Sequence, residues 1–505
     1  MTFNKKILVL GNETANTDDM TSSMAKDSNS INHGLISNPT FLIEEMGYYH
    51  SSLGDLSAGD IVHISNRFDS IVMLDQPKET YPHFKSFMAT VRLMQDLESL
   101  GIDVTYQNKS TKNIIYWKNL LKENKSFCFH PFMALINNSG STAICPKNDL
   151  PITKIDQIED WQTDLHYNEI RNKMLAGELM PERCHDCYSR EAEGQESTRQ
   201  FETLEWAQRM SFNSIEDFTK IKSPLYYEIR PNNLCNILCR TCDSAHSHLI
   251  EREWKTIGIP IVENHSFATI PFDMINFEDV KRIYWGGGEP TVMPEFYEFL
   301  QKCIDIGKTD FELEIGTNGM KYSNKLVKLL DNFTNVNFAF SFDGYKKIND
   351  YIRWGSEFNT IVKNSHMLIN NGHKISLQTV FSMYSISRMH EVFEFYDQEY
   401  PGIGALVQVG GGQDDINLPY NHPCPELVID SMKRCQQTKV YYSNGRSVRS
   451  MVDLLIDHYT NPDYKINIEL LKKFYENNDK LDKSRNSQLG DYIPELQQAR
   501  GTYGI

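Results

Sequence analysis

The sequence predicts an α/β chain centred on a parallel sheet with helical crossovers. A small α/β domain precedes the sheet and a helical region follows it. Three observations carry this prediction. From residue 225 onward, strand-like apolar runs alternate with helix-length segments. Glycine-rich or turn-forming residues stand where those strands end. After about residue 415 the strand-like runs stop and amphipathic helical patterns take over.

The chain has 505 residues, too many for one hydrophobic core, so about two to four domains are expected. Apolar residues at 40% and charged residues at 23% are ordinary for a globular protein. The net charge of −16 repels phosphate backbones, which disfavours nucleic acid as a partner. No run of 18 apolar residues is present, so no membrane partner is expected. The opening "MTFNKKILVLG" is too brief in its apolar part for a signal-peptide core and reads as a first strand. A cytoplasmic location is the expectation.

Residues 1–115 hold "KKILVLGNE", "GDIVHISNRFDSIVMLD" and "LMQDLESLGIDVTYQ". Strand, loop and amphipathic helix alternate there, as in a small α/β domain. "VLGNETAN" lacks the spacing of a dinucleotide-binding turn. Residues 125–200 form a cysteine-rich segment with Cys128, Cys145, Cys184 and Cys187, joined by the helix-like "WQTDLHYNEIRNKMLAGELMPE". Residues 222–415 contain the alternation itself. "LYYEIRP", "KRIYW", "FELEIGTNG", "VNFAFSFDG", "ISLQTVFSMYS" and "GALVQVGGG" are the strands, with helix-like segments such as "PEFYEFLQKCIDIG" and "YSNKLVKLLDNF" between them. Such alternation implies parallel pairing through helical crossovers. Chemistry in these architectures gathers at the carboxyl ends of the strands. Five groups fall there: a cysteine loop, a Gly-Gly-Glu-Pro turn, Thr317-Asn318-Gly319, Ser341-Phe342-Asp343-Gly344 and Ser382. Residues 416–505 read as a helical cap, from "PELVIDSMKRCQQTKVYY" to "NIELLKKFYENNDKLDKSR".

Seven of the ten cysteines fall into two clusters, while Cys303, Cys424 and Cys435 are scattered. Clustered cysteines in a large cytosolic chain are more often metal ligands than disulfides. In "RPNNLCNILCRTCDS" the spacing of Cys235, Cys239 and Cys242 is C-x3-C-x2-C. Iron–sulfur clusters are usually held by four thiolates, so three would leave one iron open to a ligand. The alternative is a zinc site completed by His246 or His248. Downstream, "KRIYWGGGEP" ends a strand in three glycines, which permit close backbone approach. Glu289 there offers a carboxylate to a cation, and Pro290 fixes the turn. A plain strand-to-helix turn would use the same residues. Arg353 suits either a carboxylate partner or open solvent.

The cysteine loop resembles that of the radical S-adenosylmethionine (SAM) superfamily, with Cys235, Cys239 and Cys242 matching its cluster ligands one by one. Asn236 looks like the peptide-modifying and dehydrogenase branches, whereas Thr241 departs from the aromatic residue many members carry. The resemblance implies a partial (β/α)6 barrel and a [4Fe–4S] cluster whose open iron binds SAM. It implies SAM contacts at Gly287, Gly288, Glu289 and Pro290, and at the strand-end residues Asn318, Ser341 and Asp343. For Cys128, Cys145, Cys184 and Cys187 the ligand set allows zinc or an iron–sulfur cluster. Their arrangement resembles the twitch motif, a half-size relative of the SPASM domain. That likeness implies one auxiliary cluster, [4Fe–4S] or [2Fe–2S], placed here before the barrel instead of after it.

By this resemblance, an electron donor such as flavodoxin or ferredoxin reduces the first cluster. SAM is then cleaved to a 5′-deoxyadenosyl radical that abstracts hydrogen from a peptide or protein side chain. The auxiliary cluster would assist substrate oxidation, giving an oxidoreductase-type reaction. Two alternatives stand beside this: dehydrogenation of a sugar or aminocyclitol, and a non-catalytic zinc-binding regulator. No residue is assigned a direct catalytic role.

Overall fold

The computed structural model describes residues 6–10, 32–36, 70–73, 103–106, 109–138, 140–146, 148, 150–192, 197–262, 268–401, 403–410, 417–438, 440 and 448–505. The helix expected in "LMQDLESLG" and the loop after Leu10 lie outside these residues. The chain divides into two compact units, Met1–Lys125 with Thr198–Asp217, and Ser126–Ser197 with Phe218–Ile505.

The first unit contains strands β1 (Lys6–Leu10), β2 (Asn32–Ile36), β3 (Ser70–Met73) and β4 (Asp103–Tyr106). All pair in parallel, in the order β2-β1-β3-β4. Helices Lys109–Glu123 and Thr198–Arg209 are tied together by buried Arg199, which donates to the carbonyls of Leu121 (2.8 Å) and Asn124 (3.0 Å).

The second unit is built on a nine-stranded sheet. Its first strands are β5 (Ala134–Asn138), β6 (Ser141–Ala143) and β7 (Pro151–Lys154). Helices α1 (Leu165–Leu175) and α2 (Pro181–Ala192) follow. Then come β8 (Tyr226–Ile229), the two-residue β9 (Leu238–Cys239) and α3 (His248–Ile257). The alternation continues with β10 (Arg282–Trp285), α4 (Pro294–Asp305), β11 (Glu312–Thr317), α5 (Asn324–Leu330) and β12 (Val336–Ser341). It ends with α6 (Lys347–Ile352), β13 (Arg353–Trp354), α7 (Phe358–Asn370), β14 (Lys374–Phe381), α8 (Met389–Glu399) and β15 (Ala405–Val409).

Strands β8, β10, β11, β12, β14 and β15 lie side by side in sequence order, all parallel. This is the arrangement the strand–helix alternation predicts. Side chains alternate across a strand, and Ile229, Trp285, Ile315, Phe340, Phe381 and Val407 on one face join the main apolar core under the helices. Strand β5 adds to the β8 edge in parallel, and β6 and β7 extend it antiparallel. Ile155, Ile158, Trp161 and Tyr167 also join this apolar core, so the cysteine-rich segment packs as part of this unit.

Residues 416–505 are helical where described: α9 (Pro425–Cys435), α10 (Val448–Thr460), α11 (Ile468–Arg485) and α12 (Pro494–Thr502). Asn467 caps α11 by accepting from the Leu470 amide, and Asn486 ends it in the left-handed conformation (φ 50°). Among the described residues, no helix is long and apolar enough to cross a membrane.

Candidate active site

The cysteine loop leaves the carboxyl end of β8 and returns to the fold through two short pairings. Leu238–Cys239 pairs antiparallel with Arg353–Trp354, which sets Cys239 opposite Arg353. The Cys235 amide donates to Nδ1 of His248 at the start of α3 (3.2 Å). His246 is occupied by Asp243, its Nδ1 lying 2.8 Å from the carboxylate. The two histidines weighed as zinc ligands thus each have a local hydrogen-bond partner.

Burial pushes the Cys239 thiol up to about 12, the Arg353 charge pulls it down in part, and Cys235 raises it again. Cys242 is raised well above the ordinary range by burial, with Asp243, Cys239 and Cys235 adding to the effect. Burial raises Cys235 as well, so all three thiols favour the protonated form until a metal takes the place of the proton. Among the described residues, no group of three or more His, Cys, Asp or Glu side chains is arranged to hold a single metal ion.

The glycine turn after β10 is sewn onto the start of the cysteine loop. Amides of Gly286, Gly288 and Glu289 donate to the carbonyls of Ile229 (2.9 Å), Asn232 (3.3 Å) and Leu234 (2.7 Å). Gly287 has φ +105°, a region that favours glycine, and a Cβ at Gly288 would lie 2.1 Å from the Leu234 carbonyl oxygen. Gly288→Ala is therefore expected to push the cysteine loop off the turn. The predicted cost is about 3 kcal/mol, read as a lower denaturant midpoint. Gly501→Ala serves as the control, because nothing lies within 4 Å of its added Cβ.

Glu289 is 1% exposed, and its carboxylate is saturated by protein donors. Oε1 accepts from the Thr291 amide (3.1 Å), the Thr291 hydroxyl (2.7 Å) and the Thr317 hydroxyl (2.8 Å), while Oε2 accepts from the Asn318 amide (2.6 Å). Burial raises its pKa, and these hydrogen bonds oppose the rise. Glu289 thus ties the Gly-Gly-Glu-Pro turn to the end of β11. Asn318 reaches onward, its Nδ2 donating to the side chain of Asn236 inside the cysteine loop (2.8 Å).

Asp343 is buried and already engaged. Arg353 Nη1 donates to its Oδ2 (2.7 Å), and the Val380 amide donates to its Oδ1 (3.1 Å). Arg353 is itself buried, so it is not the solvated arginine the sequence allowed. Its charge is held on despite burial by Cys239 and Asp343. Ser341 closes β12 beside Gln378. Behind this rim, on the sheet face opposite the apolar core, Glu228, Tyr284 and Glu314 stand in register across β8, β10 and β11. The Tyr284 ring lies over the bare Cα positions of Gly286 and Gly316.

The second cysteine group is also drawn together. Gly140 (φ 78°) turns the β5–β6 hairpin, and Cys145 follows β6. Cys184 and Cys187 are three residues apart in α2, and the backbone departs from helical angles at Cys184, where the helix kinks. Cys128 is buried, with Sγ 3.4 Å from Nδ1 of His130. Burial raises its thiol well above the ordinary range, a hydrogen bond from the His130 backbone amide lowers it in part, and the charges of Cys187, Cys145 and Cys184 raise it further. The four thiols share one electrostatic neighbourhood. Cys303 and Cys435 lie in the apolar core, and the Cys424 Sγ points to the Glu495 carbonyl (3.7 Å).

Sequence reasoning missed two groups at this site. One is the Glu228–Arg230 ion pair (2.5 Å) beneath the loop, for which a charged pair two residues apart on a strand was the available signal. The other is Arg240, between two of the cysteines, whose side-chain partners lie 111 to 247 residues away and leave no local trace.

Residues 229–396 match the Radical SAM superfamily, so the chain carries a radical SAM domain. The matched span begins with Ile229, at the end of β8, and covers the cysteine loop and the Gly-Gly-Glu-Pro turn. The family implies a [4Fe–4S] cluster and SAM. An uncharacterized protein of Methanothermobacter thermautotrophicus is 27% identical over 115 residues, 22% of this chain and 43% of that protein. Among solved structures, native anSMEcpe with bound AdoMet is 16% identical at a TM-score of 0.33, over 42% of this chain and 60% of that one. Streptococcus suis SuiB bound to S-adenosylmethionine is 18% identical at a TM-score of 0.30, over 48% of this chain and 52% of that one. The chain thus spans less than two thirds of the length of each of these relatives.

Proposed function

We propose that the protein is a radical SAM enzyme that modifies a peptide or protein side chain, with an auxiliary iron–sulfur cluster held by Cys128, Cys145, Cys184 and Cys187. The observation that carries the reading is the sewn junction of two chain segments at the carboxyl ends of parallel strands. There the loop of Cys235, Cys239 and Cys242 is hydrogen-bonded, residue by residue, to the Gly-Gly-Glu turn.

When bound, the cluster and SAM supply a 5′-deoxyadenosyl radical. The chain's own residues do the rest. Cys235, Cys239 and Cys242 are the cluster ligands, and the buried Arg353 places a positive charge beside them. Backbone carbonyls of the glycine turn, with Glu289, Pro290 and Asn318, would hold the amino end of SAM, and Ser341 and the Asp343–Arg353 pair would hold its carboxylate. Glu228, Tyr284 and Glu314 give the inner sheet face a polar floor, which suits a polar substrate group. The twitch-like spacing of the four upstream cysteines, and their mutual electrostatic influence, support the auxiliary cluster and a net oxidation. A flavodoxin- or ferredoxin-type donor would supply the electron.

Anaerobically purified protein is expected to be brown and to hold about eight irons if both clusters are cubane. After chemical reduction it should convert SAM to 5′-deoxyadenosine, and a peptide substrate should gain or lose mass. A colourless protein with stoichiometric zinc would overturn the reading, because zinc is d10.

A further inference from the structure

Arg240, between Cys239 and Cys242, is fully buried. A buried guanidinium is tolerated only when its donors are met. All of its side-chain partners lie outside the loop. Nε donates to the Tyr351 carbonyl (3.0 Å), Nη1 to Asn478 Oδ1 (3.0 Å), and Nη2 to Asp482 Oδ1 (2.6 Å) and Ser487 Oγ (3.0 Å). The guanidinium also stacks 3.7 Å from the centre of the Tyr351 ring, and the Tyr351 hydroxyl donates to Asp482 (2.9 Å). On the backbone, the Arg240 amide donates to the Ile352 carbonyl (2.7 Å), and its carbonyl accepts from Asn417 (3.1 Å).

A second set of contacts leads to the same helix. Leu481 of α11 packs in one apolar cluster with Ile250 and Trp254 of α3, and Cys242 lies against that cluster. One turn further on, buried Arg485 grips Glu253 of α3 through Nε (2.9 Å) and Nη2 (2.6 Å). Helix α11 therefore holds the loop at Arg240 and the helix that follows the loop at Glu253.

We propose that α11 is a positioning element for the cluster loop, and that Asp482 and Asn478, acting through Arg240, hold Cys239 and Cys242 in the ligating conformation before any cluster arrives. The cluster part of this statement rests on the function proposed above; the preorganisation part concerns the metal-free chain. Asp482 also neutralises the guanidinium one residue from a ligand. Its loss leaves an uncompensated positive charge there, which favours the more negative, reduced state of a bound cluster.

The test is Asp482→Asn in the full-length chain. In the metal-free protein, hydrogen exchange at the Arg240 amide should accelerate about tenfold, the equivalent of one charge-assisted hydrogen bond. In the reconstituted protein, the iron held by the loop should fall, the remaining loop cluster should reduce at a more positive potential, and the four-cysteine group should be unchanged. Unaltered exchange and an unaltered potential would overturn the proposal. If Asp482→Asn gives no cooperative melt, Ser487→Ala removes only one of the Arg240 contacts, an uncharged one, and should accelerate exchange at the Arg240 amide by a smaller factor with the potential unmoved; unaltered exchange there overturns the proposal equally. A parent protein that takes up no iron would defeat the cluster reading, while the exchange measurement would still decide the preorganisation.

Discussion

Cys239→Ala is expected to abolish reductive cleavage of SAM while leaving the four-cysteine group loaded. Cys239 is the middle ligand of the loop, paired to Arg353 across a two-residue ladder, and has no neighbouring thiol that could replace it. Removing a partner of a metal ligand commonly costs about 10–100-fold, and removing the ligand costs more. Formation of 5′-deoxyadenosine should therefore fall below about a hundredth of the parent's. Cys184→Ala should do the opposite at the metal level: the upstream absorbance is lost, the loop cluster stays, and the chain melts earlier because metal binding contributes folding energy. Iron content and 5′-deoxyadenosine yield, measured on both variants, decide the matter. Undiminished 5′-deoxyadenosine from Cys239→Ala would sink the assignment of the loop. Loss of all iron from both variants would show that the two cysteine groups are not separate sites.

Glu289→Gln should weaken SAM binding and destabilise the metal-free fold together. The family resemblance implies that Glu289 offers its carboxylate to the SAM ammonium group. A charge-assisted hydrogen bond of about 1.5–3 kcal/mol then corresponds to a ten- to hundredfold loss of affinity. The structure adds that the carboxylate already accepts four hydrogen bonds from Thr291, Thr317 and Asn318. A glutamine has one accepting oxygen and an NH2 group that would face a donor. The buried Asn318 amide or the threonine hydroxyls would lose their partner, at about 1–3 kcal/mol of folding stability.

The pH dependence follows from the raised carboxyl pKa. A carboxyl group raised in the folded state contributes most below its unfolded value and loses that contribution as pH climbs through the raised one. The parent's stability should therefore fall, relative to the glutamine variant's, over that interval. Calorimetric SAM titration and chemical denaturation distinguish three cases. Weaker SAM binding with unchanged stability means that the carboxylate meets the ligand directly. Loss of both means that it acts by fastening the turn to β11 and to Asn318. No change in either would remove Glu289 from the site.

The chemistry-bearing motifs were legible in the sequence because they are local. Three cysteines within eight residues, three glycines ahead of a Glu-Pro pair, and two-residue periodicity in "FELEIGTNG" need no partner elsewhere to be recognised. Parallel pairing was legible for a related reason. Each strand is followed by a helix-length segment, and a crossover of that length returns the chain in the same direction.

The tertiary structure decided the roles of side chains whose partners are distant in sequence. From the sequence Arg353 suits either a carboxylate partner or open solvent, and the fold decides for the first, burying it against Asp343 and opposite Cys239. Glu289 reads as a free carboxylate, yet Thr317 and Asn318, 28 and 29 residues away, enclose it. Residues 125–200 read as a separate segment, yet β5 pairs with β8 and its neighbours share the apolar core of the sheet. The helical tail reads as a cap, and only the fold shows Asp482 reaching Arg240 across 242 positions to hold the cysteine loop. Periodicity and spacing report what neighbouring residues require of one another. A buried charge is satisfied by whichever group the folded chain brings within about 3 Å, and that pairing exists only in three dimensions.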